Sequence, residues 1–141
     1  MRRHLLVATG FILLLITSCG DIEWLPSGSV NNEPTPSPFT FAPKLCAPAA
    51  TLVESNEIEI SNVTSPATIS ITNGEYFIVG GTWSSESRIV TPDSTQKLKV
   101  KVRHTTASVT ASSPVVITTL KVGNTTGYFY SDTSTSTGCP Q

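Results

Sequence analysis

Residues 96–104 read QKLKVKVRH, and this stretch decides the fold. Lys97, Lys99, Lys101 and Arg103 alternate with Leu98, Val100 and Val102. An extended chain of period two places all four cations on one face and the three aliphatic side chains on the other. A helix at 3.6 residues per turn would scatter both sets around its axis. The stretch is therefore a strand of an antiparallel sheet, wet on one face and core on the other. Glu57 and Glu59 alternate with Ile58 and Ile60 in the same way, which places a carboxylate strand beside or near the basic one. Further short runs at 49–53, 56–61, 67–72, 75–79, 86–91 and 114–122 complete seven candidate strands, with Tyr128-Phe129-Tyr130 beginning a final one. Turn residues punctuate them at Ser65-Pro66, Asn73-Gly74, Gly80-Gly81, Thr91-Pro92-Asp93 and Gly123-Asn124. Asn73-Gly74 is expected to close a hairpin between the third and fourth strands, because both residues tolerate positive φ. The expected fold class is an all-β antiparallel sandwich.

Composition agrees. Charged residues make up 13% of the chain and the formal net charge is −1, so the footprint of a nucleic-acid binder is missing. Polarity comes from Ser, Thr and Asn, and Thr and Val favour pleated strands.

The amino terminus is of another kind. Met1-Arg2-Arg3-His4 is followed by the uncharged run Leu5 to Ile16, LLVATGFILLLI. That is the anatomy of a secretory signal peptide over residues 1–18, and the run is shorter than the roughly 20 apolar residues of a membrane-spanning helix. Ile16-Thr17-Ser18-Cys19 resembles the lipobox of bacterial lipoproteins. The resemblance implies cleavage before Cys19 and a diacylglycerol on its sulfur, hence a membrane-attached protein that does not span the membrane. Gly20 follows the cysteine and Asp21 comes one place later, which by the same resemblance favours the outer membrane. Residues 20–45 carry Pro26, Pro34, Pro36, Pro38 and Pro43 without period 2 or 3.6, and are expected to form a disordered, solvated stalk. The expected organisation is thus a leader over 1–18, lipidated Cys19 with its stalk over 19–45, and one sandwich over 46–141.

Within the sandwich, Ser55-Asn56-Glu57-Ile58, then Ile69-Ser70-Ile71-Thr72-Asn73-Gly74-Glu75-Tyr76-Phe77-Ile78, then Gly80-Gly81-Thr82-Trp83 resemble an immunoglobulin-like repeat of bacterial envelope and secreted proteins. Val122-Gly123 matches a later dipeptide that leads into the last strand of such repeats. The resemblance implies an immunoglobulin-like sandwich of about seven strands, an exported location, and core positions for Tyr76 and Trp83. It implies no activity.

With Cys19 assigned to lipid, Cys46 and Cys139 remain as a pair in an oxidising compartment, expected to be bonded or else to stand as separate or intermolecular thiols. A bond between them would close nearly the whole domain and contribute at most about 4–5 kcal/mol. No catalytic constellation appears. His104 is the one histidine after the leader and is expected to be a solvent-facing or strand-end residue. Asp93 and Asp132 are isolated, no His/Cys cluster has zinc spacing, and no cofactor is expected. Asn62-Val63-Thr64 and Asn124-Thr125-Thr126 match glycosylation acceptors in form alone.

Two function classes follow. One is a non-catalytic structural or scaffolding accessory, held to the membrane by lipid and docked on another envelope protein. The other is a glycan- or ligand-binding module, with Lys97, Lys99, Lys101, Arg103 and Trp83 as candidate contacts and Tyr76, Tyr128 and Tyr130 as further stacking rings. The basic stripe also has a plainer reading, as solvation and protection of an outer strand against edge pairing. A hydrolase is a distant third.

Overall fold

The computed structural model describes residues 32–134. Among them there is no helix, and the chain forms nine strands: β1 (Leu52–Glu54), β2 (Ile58–Ile60), β3 (Ala67–Thr72), β4 (Glu75–Ile78), β5 (Trp83–Ser84), β6 (Arg88–Val90), β7 (Leu98–Thr105), β8 (Val115–Val122) and β9 (Thr125–Asp132). They make two antiparallel sheets, one of five strands and one of four, packed as a β-sandwich. The leader, Cys19, residues 20–31 and Cys139 lie outside the described residues.

The strand read from alternation, β7, is central rather than outer. β4 pairs along one side of it, while β1 and β2 lie end to end along the other. The plainer reading of the lysine row as edge protection is therefore corrected, because both ladders of β7 are occupied. Leu98, Val100, Val102 and His104 point inward and are buried, as period two requires. Between β1 and β2 the register slips. Glu54 faces Arg103 and Ile58 faces Val100, so Ser55, Asn56 and Glu57 oppose two residues, Lys101 and Val102, across a β-bulge. The buried Ser55 repairs the ladder there: its N–H donates to the Val102 carbonyl at 2.8 Å and its hydroxyl accepts the Val102 N–H at 3.0 Å.

The four-stranded sheet runs β6-β3-β8-β9. Asn73-Gly74 does connect β3 to β4, but as a corner between the two sheets and not as a hairpin. Asn73 takes positive φ of 60°, and a β-carbon on Gly74 would stand 2.6 Å from the Arg103 carbonyl oxygen and 2.9 Å from Thr118 Oγ1. The glycine is needed for that close approach. The two-residue hairpin falls instead at Gly123-Asn124, where Val122 pairs with Thr125 and Gly123 has φ 54°. Positive φ at the first central residue alone is the pattern of a type II′ turn.

The largest departure from the sequence expectation is at residues 32–45, read above as disordered stalk. This arm runs parallel to β9 along the side of the sandwich where β9 and β2 form the sheet edges. Asn124 N–H donates to the Pro34 carbonyl, Thr125 Oγ1 to the Pro36 carbonyl, and Ser37 N–H to the Ser61 carbonyl, at 2.9, 2.7 and 2.9 Å. The Ala42 N–H donates to Asn56 Oδ1 on the bulge at 2.9 Å, and Lys44 forms a parallel bridge with Ser131. Pro34, Pro36 and Phe41 are buried, and Phe41 meets Phe39 and Phe129 edge to face at 6.2 and 6.3 Å. Proline cannot donate to a ladder, yet its carbonyl accepts, so an arm of this composition is satisfied by donors that the body supplies. The folded domain therefore begins about fourteen residues earlier than Cys46, at Asn32 among the described residues.

Candidate functional site

The outer face of the five-stranded sheet gathers all five candidate ligand contacts. Period two on β7 brings Lys97, Lys99, Lys101 and Arg103 to this face, and the pairing of β4 with β7 and β5 adds Phe77 and Trp83 beside them. Trp83 is opposite Phe77, which is opposite Lys101, and these three point away from the core. Tyr76, one residue earlier, points inward, fully buried, with its hydroxyl donating to the Glu86 carbonyl at 2.7 Å. The core expectation thus holds for Tyr76 and fails for Trp83, whose place on β5 has the parity of Phe77.

This face is largely occupied by its own partners. Lys97 Nζ lies 2.7 Å from Glu59, Lys101 Nζ 3.4 Å from Glu54, and Arg103 Nε 2.7 Å from Glu75. The Arg103 guanidinium also stands 4.3 Å above the Trp83 ring, and Phe77 packs on that ring at 5.4 Å. The hydrogen bond and charge of Glu59 hold the Lys97 ammonium above its ordinary pKa. Exposed pairs of this kind stabilise by roughly 0–1 kcal/mol each, but they cancel the field an anionic ligand would follow. Lys99 carries no ion pair among the described residues and borders a cavity of ≈ 300 Å³ with Ile78, Val79, Asp93 and Lys97. The Asp93 carboxylate, held below its ordinary pKa by the Thr95 hydroxyl and by the Thr95 and Lys97 N–H groups, brings negative charge to the same rim.

His104 is buried, at 4% exposure, and not solvent-facing. It continues the inward parity of β7 and spans the gap to the four-stranded sheet. Thr118 Oγ1 has one proton, which it donates to the Asn73 carbonyl at 2.6 Å, so it accepts from His104 Nδ1–H at 2.6 Å. Nε2 then accepts from the Ser131 hydroxyl at 2.7 Å. The ring is thereby fixed as the neutral Nδ1–H tautomer, and desolvation lowers its pKa. A serine hydroxyl on a histidine resembles a nucleophile and base, but Ser131 is itself fully buried and a threonine, not a carboxylate, orients the ring. The arrangement joins the sheets. Among the described residues no group of His, Cys, Asp and Glu is arranged to hold a metal.

A cluster of exposed apolar side chains lies on the opposite sheet. On its outer face Tyr130 pairs with Ile117 and Tyr128 with Thr119. Tyr128 is 55% exposed, Ile117 52% and Tyr130 40%, with Val115 beside them. Comparison of the chain with protein families, with curated proteins and with solved structures returned no match. Sequence reasoning named Tyr128 and Tyr130 as stacking rings but missed Ile117 and Val115, because Val115-Val116-Ile117 is a continuous apolar run with no polar alternation to mark the outward face.

Two asparagines formally matching glycosylation acceptors hold the arm instead. Asn62 Nδ2 donates to Ser37 Oγ at 2.7 Å and Asn124 Nδ2 to the Glu33 carbonyl at 2.8 Å. Glu33 in turn accepts the Thr68 N–H at 2.9 Å, and the Thr68 hydroxyl and N–H keep its carboxyl below the usual range.

Proposed function

We propose that the protein is a non-catalytic envelope lipoprotein, anchored through Cys19 to the outer membrane, whose sandwich serves as a structural accessory docked on another envelope protein. The observation that carries this reading is the contrast between the two outer faces. On the basic face Lys97, Lys101 and Arg103 are paired with Glu59, Glu54 and Glu75, and Trp83 is covered by Arg103. The opposite face leaves Val115, Ile117, Tyr128 and Tyr130 exposed together. Clustered exposed apolar side chains with tyrosines are the ordinary chemistry of a protein contact. The anchor is supported by Ile16-Thr17-Ser18-Cys19, and membership of the immunoglobulin-like repeats by the motif residues and the sandwich class.

A Cys46–Cys139 disulfide belongs to the same reading. It is supported by the even pair that Cys46 and Cys139 make once Cys19 is assigned to lipid. It is further supported by the Ala47 N–H donating to the Asp132 carbonyl at 2.9 Å, since β9 ends beside Cys46 and Cys139 follows seven residues later.

The second reading, a glycan-binding module, rests on Tyr128 and Tyr130, two exposed rings at alternate positions of β9. A photoreactive phenylalanine placed at position 130 in cells separates the two. The docking reading expects one discrete protein adduct on the envelope, lost with Ile117→Asp while the domain stays folded. No protein adduct, together with Tyr130-dependent retention on an envelope polysaccharide, would replace it with the glycan reading.

A further inference from the structure

The buried His104 stands one strand in from the side of the sandwich that the arm closes. Its own sheet ends at β1, where Val53 pairs with it, and the facing sheet ends at β9, whose Phe129 and Ser131 point inward to its ring. Among the described residues, the arm spans the gap between those two edge strands. The Ala42 N–H reaches Asn56 on the bulge between β1 and β2, and Lys44 bridges Ser131 on β9. Two residues of β9 thus serve the histidine and the arm at once. Phe129 lies 4.8 Å from the His104 ring and 6.3 Å from the Phe41 ring, centroid to centroid. Ser131 gives its hydroxyl proton to His104 Nε2 at 2.7 Å, and the peptide groups flanking it hold Lys44. There the Lys44 N–H donates to the Tyr130 carbonyl and the Asp132 N–H to the Lys44 carbonyl, both at 2.9 Å.

This arrangement suits the neutral ring alone. A protonated ring donates from both nitrogens, so Ser131 Oγ must become an acceptor and turn its own proton elsewhere. Among the described residues no countercharge faces the ring. Val53 of β1, Thr118 of β8, and Phe129 and Ser131 of β9 are uncharged. Glu54, Glu75 and Arg103 lie on the outer face of the five-stranded sheet, Tyr130 and Asp132 have the opposite parity to Ser131, and the Lys44 side chain is exposed. A buried cation without a partner is unfavourable unless water reaches it. Lifting the arm from β9 lets water in at Ser131 and breaks no strand ladder beyond the one Lys44 bridge.

We infer that docking of the arm at residues 41–44 and protonation of His104 oppose each other, so that the closed side of the sandwich is an acid-sensitive latch. Linkage makes the coupling reciprocal, and each direction has its own measurement on the full-length protein. The first is native-state hydrogen exchange from pH 7.5 to 5.5, corrected for the intrinsic pH dependence of exchange. Protection of the Lys44 amide is expected to fall by up to about tenfold per pH unit below about pH 6.5, through an opening less dependent on urea than that of the β3–β8 amides. In His104→Gln the fall is expected to vanish. The second is the titration of His104, read from its imidazole NMR signals. Phe41→Ala, whose ring pairs are with Phe39 and Phe129, is expected to raise the His104 pKa towards its ordinary value. The inference is overturned if Lys44 protection does not change with pH, if it falls equally in His104→Gln, or if the fall carries the full urea dependence of global unfolding. It is also overturned if Phe41→Ala exposes the Lys44 amide and leaves the His104 titration where it was. Should His104→Gln not fold, that titration decides.

Discussion

Phe41→Ala is the substitution that most sharply separates an integral arm from a passive tether. Phe41 is 3% exposed and touches Phe39 and Phe129 in edge-to-face pairs, so truncation removes a buried ring from the seam between arm and body. Replacing a buried Phe by Ala costs about 3–5 kcal/mol, and the two ring pairs place this site towards the upper part of that range. The loss saturates at the free energy of arm undocking, since beyond that point the body persists without its arm. For a domain of this size each kcal/mol shifts Tm by roughly 4–8 °C, so a fall of at least about 12 °C is expected if the arm melts with the body. Two assays run together cover both regimes: thermal melting by circular dichroism, and limited proteolysis after Lys44. Undocking without global melting would appear as faster cleavage there. Leu45→Ala, one residue beyond Lys44 at an exposed position, serves as control and should stay within about 0.5 kcal/mol of the parent. A Phe41→Ala protein with unchanged Tm and unchanged cleavage would refute the reasoning.

Other expectations follow from the same geometry. Trp83→Ala should cost only about 1–2 kcal/mol, the sum of one cation–π contact and one ring pair on a solvent face, and denaturant titration showing a loss above 3 kcal/mol would return Trp83 to the core. Gly127→Ala forces a methyl group into the Phe39 ring and should destabilise by about 1–3 kcal/mol in a melt, whereas a neutral result would mean the arm does not lie there. His104 has a lowered pKa in the folded state, so the unfolded chain binds the proton first on acidification. Its contribution is complete above about pH 6.5 and is lost as pH falls towards the lowered folded value, with a slope of at most about 1.4 kcal/mol per pH unit. Urea titrations between pH 7.5 and 5 should show that slope in the parent and lose it in His104→Gln; an equal slope in both would assign it to other groups.

How much of this was legible in the sequence depends on whether a residue's role was set locally. β7 and β3 were legible because alternation is local, and β3 occupies 67–72 as expected. Asn73-Gly74 was misplaced because positive φ serves a corner between sheets as well as a hairpin, and only the pairing partners of β3 and β4 distinguish the two. β5, two residues long, offers no period to detect. Trp83 and His104 were misassigned for opposite reasons. The parity of β7 carried His104 inward in plain view, whereas the parity of Trp83 is set by its pairing with Phe77 across the Gly80-Gly81 turn. The arm was illegible by composition. Its prolines exclude a ladder of its own, and the groups that satisfy it, Asn56, Asn62, Asn124 and Thr125, are remote in sequence. The outward row of Val115 and Ile117 is hidden in the apolar run Val115-Val116-Ile117, and which of the two faces remains uncovered depends on the carboxylates of β1, β2 and β4.

Hydrogen exchange of the full-length protein, read at single-amide resolution, tests the account most directly. The account holds that a proline-rich arm is an integral part of the sandwich and seals its side. It predicts that the amides of Ser37, Ala42 and Lys44, which donate to Ser61, Asn56 and Tyr130, are protected to the level of the β9 amides that pair with β8. Exchange of those three at the rate of an unstructured chain, with β9 still protected, would contradict it.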